Sequence, residues 1–175
     1  MPVATLITTA GAANANAYCD VAFADQYHLN RPPVGVTWAN ATADQKSAAI
    51  LWATILMDRL WDWTGYVVDT TQILLWPRQS MLKPSLLEYE PITEIPLEIK
   101  QATAEYARQL LVSDLAGNSD IETFGLTSFR AGPVAFQFKD SVTAKPVPDT
   151  VFNLVPPMWG HVRSRETGVR SLVRA

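Results

Sequence analysis

The segment from Thr42 to Trp63 constrains the chain more than any other, because a start signal, a long apolar pattern and a stop signal occur in it in the right order. Thr42 with Gln45 three residues on fits a capping box, in which each side chain satisfies a backbone N–H left without a partner at a helix start. Beyond it Ala48, Ala49, Trp52, Ile55, Leu56, Leu60 and Trp63 recur at spacings of three and four, and Ile50, Leu51, Ala53 and Met57 widen the stripe past one narrow face. This pattern predicts a central helix that the rest of the chain covers on more than one side. Gly65 is placed to take the left-handed conformation that ends a helix. Trp52, Trp63, Trp76 and Pro77 read as the anchors of the core around it.

Before this segment, Met1 to Asn16 is rich in small and β-branched residues without a helical period, and reads as an extended or mobile arm. Asp20 caps a short predicted helix through His28, with Val21, Phe23, Ala24 and Tyr27 on its apolar side, until Asn30-Arg-Pro-Pro33 forbids continuation. Trp38, in the connection, reads as a lid over the central helix. After it, residues 66–96 are interrupted by Pro77, Pro84 and Pro91 and predict a long ordered loop. In that loop Pro77 holds Trp76 extended, so that the indole is expected to lie across the central helix while Arg78 points outward.

Pro96 suits the first turn of a second long helix, with Glu94 and Glu98 at its positive end and Ile99, Ala102, Tyr106, Ala107, Leu110 and Leu111 as its stripe, stopping at Gly117-Asn118. After Asp120 the period changes to two: Leu126 to Arg130 and Val134 to Phe138 flank Ala131-Gly132-Pro133, a β-hairpin pattern. Asp149 opens a short helix with Val151, Phe152, Leu154 and Val155, closed by Pro156-Pro157. The predicted fold is mainly α: a small helical bundle with a β-hairpin and an extended C-terminal tail. Its parts are an N-terminal arm (1–16), a helical body (17–120), the hairpin with a short helix (121–160) and a tail (161–175).

Charge is uneven along the 175 residues: residues 1–120 carry 7 basic and 13 acidic side chains, residues 121–175 carry 7 and 4. An acidic partner is therefore expected at the basic end, where Arg163, Arg165, Arg170 and Arg174 face a single acid, Glu166. The single cysteine, Cys19, excludes an internal disulfide and reads as a small buried thiol. His28 and His161 stand far apart without companion ligands, so no metal site is expected. Asp58 and Asp62 lie one turn apart on the predicted helix; a polar stripe in which Arg59 neutralises Asp62 explains them better than acid–base chemistry.

None of the phosphate-loop, dinucleotide, nucleophile-elbow or zinc-protease motifs occurs. The chain is accordingly not read as an enzyme, and no cofactor is expected. No apolar run approaches the ~20 residues needed to span a bilayer. Ala15-Asn16-Ala17 mimics a cleavage site but lacks a basic leader and a long apolar stretch, so a signal peptide is not expected.

The residues resemble a known family. Ala17-Tyr18 before an Asp-capped helix, Ala48 to Asp58, the Trp63-Thr-Gly65 step, the Gln72-Ile-Leu-Leu-Trp-Pro-Arg78 string, the helix from Pro96, and Gly132-Pro133 with its alternating strand together resemble the head-to-tail adaptor (connector or head-completion) proteins of tailed bacteriophages. Some relatives of that kind carry the description DnaT-like single-stranded-DNA-binding protein. The resemblance runs in order over roughly residues 14–157, and the Gln72–Arg78 string is its most specific part; the long alanine-rich start departs from the pattern. It implies a virion part at the head–tail junction, assembled in the host cytoplasm as a closed ring of about twelve copies. Such a ring joins the portal protein to a tail or nozzle protein, with DNA passing through its lumen without sequence-specific binding and with no membrane partner. It further implies that the C-terminal extension, with Arg163, Arg165, Arg170 and Arg174, docks on the portal. The alternative is a single-stranded nucleic-acid-binding module using Trp76, Arg78 and the C-terminal arginines. Against it stand Asp69, Glu88 and Glu90, which flank the aromatics where a stacking platform wants positive charge.

Overall fold

Three helices meet around a core that is built from far-apart parts of the chain. The computed structural model describes residues 3–32, 36–113, 128–131, 134–137 and 146–163, with the backbone alone for 128–131 and 134–137. Its helices are α1 (Val21–Leu29), α2 (Val36–Asn40), α3 (Ala43–Leu60), α4 (Leu97–Leu110) and α5 (Asp149–Phe152). Its strands are β1 (Trp61–Trp63), β2 (Tyr66–Val67), β3 (Arg78–Gln79), β4 (Ser128–Ala131), β5 (Val134–Gln137) and β6 (Gly160–Val162), joined as the antiparallel pairs β1–β6, β2–β3 and β4–β5. The described chain is thus mainly helical with a β-hairpin, as predicted; the tail beyond Arg163 and the stop at Gly117-Asn118 lie outside the described residues.

The central helix starts as its capping box requires. Thr42 Oγ1 accepts from Gln45 N at 3.2 Å, and Gln45 Oε1 accepts from Thr42 N at 2.8 Å. It ends three residues earlier than the apolar spacing predicts, because Trp61-Asp62-Trp63 leaves the helix as β1 and pairs with β6, Trp61 opposite Val162 and Trp63 opposite Gly160. Trp-Asp-Trp is itself a period-two pattern, with Trp61 buried and Asp62 exposed. The buried face of α3 is Ala49, Ile50, Ala53, Thr54, Leu56 and Met57. Trp52 is 40% exposed and Ile55 38%, so Trp52 is not a core anchor. Spacings of three and four admit several stripes on an apolar helix, and the one with small residues faces inward, where α4 packs against α3.

The neighbours of α3 follow from local chemistry. α1 is capped by Asp20, whose carboxylate accepts from Phe23 N at 2.8 Å. His28, buried near its end, lies 3.1 Å from the Ala104 carbonyl and against the Trp38 ring, and so ties α1 to α4. Trp38 is the expected lid, although it sits in the short helix α2, with its indole N–H donated to Asp25 at 2.9 Å. The N-terminal residues cover their own body instead of extending away: Leu6 and Ala10 pack on the core, and Ile7 N donates to the Asn16 side chain at 2.7 Å.

α4 begins after Pro96 with Glu98 in its first turn, and buries Ile99, Ala102, Tyr106 and Ala107 as predicted. The hairpin forms where the alternation places it, with Ser128 opposite Gln137 and Ala131 opposite Val134. Beyond α5, whose Val151 is buried, the chain returns as β6, and Arg163 N donates to Leu60 O at 2.8 Å. The body therefore extends to Arg163, and the predicted tail loses its first residues to the fold.

Candidate functional site

Of the residues that the sequence singles out, Trp63, Trp76 and Pro77 come together in one aromatic cluster. Trp61 stacks on Trp63 at 5.0 Å, Trp63 meets the face of Trp76 edge-on at 5.4 Å, and Trp76 lies 5.2 Å from Trp159. Contacts of this kind add about 1 kcal/mol each beyond the area they bury. Trp159 donates its N–H to the Leu82 carbonyl at 2.6 Å, whereas the buried N–H groups of Trp61, Trp63 and Trp76 have no partner among the described residues.

Arg78 is expected to point outward, and it points inward. It is 8% exposed; Nε donates to Thr64 O at 2.6 Å, Nη2 to Gly65 O at 2.8 Å and Nη1 to Leu75 O at 3.2 Å. The turn at Gly65 leaves carbonyls without strand or helix partners, and a planar guanidinium satisfies several of them at once. Gln72 does the same at the other end of the string: Nε2 donates to Leu74 O and Pro77 O, and Oε1 accepts from Val68 N and Asp69 N. Each polar residue of Gln72–Arg78 thus closes a bond with the protein's own backbone. The string is a brace, and neither Trp76 nor Arg78 is open to a ligand.

The two aspartates part company. Asp58 accepts from the Tyr18 hydroxyl and from Leu75 N at 3.2 Å, and burial pushes its carboxyl up to about 6 against those bonds and the charge of Arg78. Burial together with Asp58 raises the Tyr18 hydroxyl well above its ordinary value. Asp62, on β1, accepts from Arg163 Nε at 2.6 Å and has His161 3.8 Å away, so its cation is Arg163, just after β6, and not Arg59. The two carboxylates serve different contacts, and no group of three metal-ligating side chains occurs among the described residues. No described helix is long and apolar enough to cross a membrane.

One buried charge escapes the sequence reading. Glu105 is fully buried on α4 and pairs with Arg108 at 2.6 Å and Arg31 at 3.5 Å. Its signal was an acid inside the apolar stripe with arginine three residues on. Cys19 is buried as expected, which pushes its thiol up to about 12.

Two hollows meet at α4. A mostly apolar groove of about 340 Å³ runs between α1 and α4, lined by Phe23, Gln26, Tyr27, Asn30, Arg31 and Leu97 among others. A polar hollow of about 300 Å³ lies beyond Leu97, with Lys83, Glu90, Glu94 and Glu98 in its walls. Mutual repulsion among these acids adds to burial in raising the Glu90 carboxyl. Arg163 is half-exposed, and Arg165, Arg170 and Arg174 lie outside the described residues.

A protein-family model described as "Putative DnaT-like ssDNA binding protein" matches residues 4–175. The chain belongs to this DnaT-like family. No curated protein and no solved structure shows significant similarity to it. The match covers the brace, the helices, the hairpin and the C-terminal arginines alike, so the DnaT-like family is defined over the whole body and not by one motif.

Proposed function

We propose that this DnaT-like protein is a structural adaptor of a tailed-phage head-to-tail junction, a ring subunit whose C-terminal segment docks on the portal. The observation that carries the reading is the inward bonding of Gln72 and Arg78 around the buried Trp76: the string most specific to the adaptor resemblance serves as a brace that stiffens the body. A stiff body with exposed apolar side chains and a basic segment beyond Arg163 fits a part that works by contact. The acidic balance of residues 1–120 fits a DNA conduit, since a wall that repels phosphate lets DNA slide.

The family description favours a second reading, binding of single-stranded DNA, and says nothing of an adaptor. Because Trp76 and Arg78 are buried, that reading has to run through Arg163 and the arginines beyond it, with the salt-steep, sequence-independent affinity of phosphate contacts. Deleting residues 164–175 separates the two. The adaptor reading expects a folded body that no longer attaches to portal in a pull-down or stacks on it in electron micrographs, while an oligonucleotide titration of the full chain gives weak binding. Tight binding to oligonucleotide that falls steeply with salt and disappears in the truncated chain, together with unchanged portal attachment, establishes the second reading instead.

A further inference from the structure

The segment 81–90 is a projecting loop that the fold holds firmly. Its base is anchored by buried Met81 and by the Trp159 bond to Leu82 O. Across it Leu82 bridges to Tyr89, Lys83 N donates to Glu88 O at 2.8 Å, Glu90 N to Met81 O at 2.7 Å, and the Lys83 and Glu88 side chains pair at 2.7 Å. The tip nevertheless places apolar groups in water: Leu86 is 59% exposed, Leu87 86% and Tyr89 65%. Leu86 also takes a left-handed backbone with φ of 59°, which costs a leucine about 1–2 kcal/mol. A braced loop that holds leucines outward at a conformational cost is a contact feature, since scattered surface apolar residues need no such support.

The same chain offers a receptor of matching character. The α1–α4 groove is apolar at Phe23, Tyr27 and Leu97, and its rim carries Arg31. Beneath it one carboxylate, Glu105, is paired with two arginines, Arg31 and Arg108, which leaves the groove a net positive charge. Burial and the Glu105 carboxylate raise the Tyr27 hydroxyl, and Arg31 and Arg108 act against them. The loop brings the opposite sign, since one lysine, Lys83, which pairs with Glu88, stands against two acids, Glu88 and Glu90, beside its leucines. We propose that the 81–90 loop of one copy docks in the α1–α4 groove of a second copy, its leucines against Phe23, Tyr27 and Leu97 and its acids toward Arg31. Loop and groove are different surfaces, so every copy gives one and receives one, and the contact propagates until it closes as a ring. Closure as a ring rests on the adaptor reading; the pairwise contact does not.

The test uses full-length chains with Leu87→Glu at the loop tip or Leu97→Glu in the groove, the latter site being 56% exposed, so that both variants keep the fold by circular dichroism. Sedimentation velocity across a concentration series is expected to show wild-type self-association and to find each variant weaker by about 100-fold, because a carboxylate enters an apolar contact. A 1:1 mixture of the two variants is expected to restore a dimer and nothing larger, since one intact loop and one intact groove remain. The proposal is overturned by a wild type that stays monomeric at every concentration, by Leu87→Glu associating like wild type, by Leu97→Glu associating like wild type, which marks a loop-to-loop contact, or by a mixture that stays monomeric. It is overturned as well if Leu97→Glu loses oligonucleotide binding while its self-association is unchanged. Portal attachment measured in parallel keeps the readings apart: its persistence alongside undisturbed self-association of Leu87→Glu sinks the loop contact alone, and its absence in the wild type sinks the adaptor reading.

Discussion

Asp58 joins three segments of the chain, accepting from Tyr18 near the N-terminus and from Leu75 in the loop while standing on α3. Its carboxyl is raised by burial from 3.8 to about 6, which corresponds to roughly 3 kcal/mol. The protonated form is the one the fold favours, so this contribution is fully present below about pH 4 and is lost as the pH rises through about 6. Asp58→Asn keeps an acceptor for Leu75 N and a donor for the Tyr18 oxygen without the charge. Urea denaturation at pH 4.5 and pH 8 is expected to show the variant gaining about 2–3 kcal/mol on the wild type between the two. An equal difference at both values defeats the burial account. Arg78 and Glu105 follow the same rule from the cationic and anionic side: each is buried with its donors or acceptors engaged, because an unpaired charge there costs several kcal/mol. Each set is only partly visible in neighbouring sequence: Arg108 and Leu75 lie three residues away, but Arg31, Thr64 and Gly65 do not. Arg78 reaches Thr64 and Gly65, more than ten residues back, and an arginine after proline reads equally well as a surface group.

Among the elements, the turn at Gly65 depends on one residue having no side chain. Its φ is 65°, and a Cβ there would stand 2.4 Å from the Gln79 carbonyl and 2.7 Å from the Met81 sulfur. Gly65→Ala therefore strains the backbone and pushes β2 from β3 at once. It is expected to destabilise by about 3 kcal/mol, read as a lower urea midpoint with an unchanged slope. A loss under about 0.5 kcal/mol indicates that the β2–β3 pair moves freely and that the brace is looser than its bonds imply. Gly65 was recognisable as a stop signal, yet its use differs: the helix has already ended at Leu60, and glycine is needed where the Arg78 brace passes. The capping box reads true because its partners lie three residues apart, and the hairpin because its paired residues lie within nine. The inward face of α3 does not, because an almost wholly apolar helix leaves the choice to whatever packs on it, and the face carrying Ala49 and Ala53 is the one that is buried.

At the scale of the molecule, the C-terminal boundary is the instructive point. Composition alone placed a basic tail from residue 161, but Gly160–Val162 completes a sheet with β1, and Arg163 pairs with Asp62. That ion pair is about half exposed and contributes little by itself; the backbone ladder is what fastens the segment. A chain ending at Arg163 is expected to melt within about 2 °C of the full chain, and one ending at Trp159 to melt more than about 5 °C lower, by calorimetry. Equal melting temperatures for both truncations show that β6 adds nothing to the body.

The starts of α1, α3 and α4, the hairpin and the charge division between the two parts of the chain were legible in the sequence itself, since each arises from a short-range pattern or from plain composition; helix α2 and the early end of α3 were not. Tertiary structure alone decided that Trp52 faces water, that Arg78 turns inward, that Asp62 takes its cation from Arg163 just after β6, and that Leu86 and Leu87 project into water while an apolar groove opens between α1 and α4. The physical reason is common to all four: burial and pairing are settled by groups that arrive from distant parts of the chain, and a carbonyl, a carboxylate or an apolar face accepts whichever partner the packing brings.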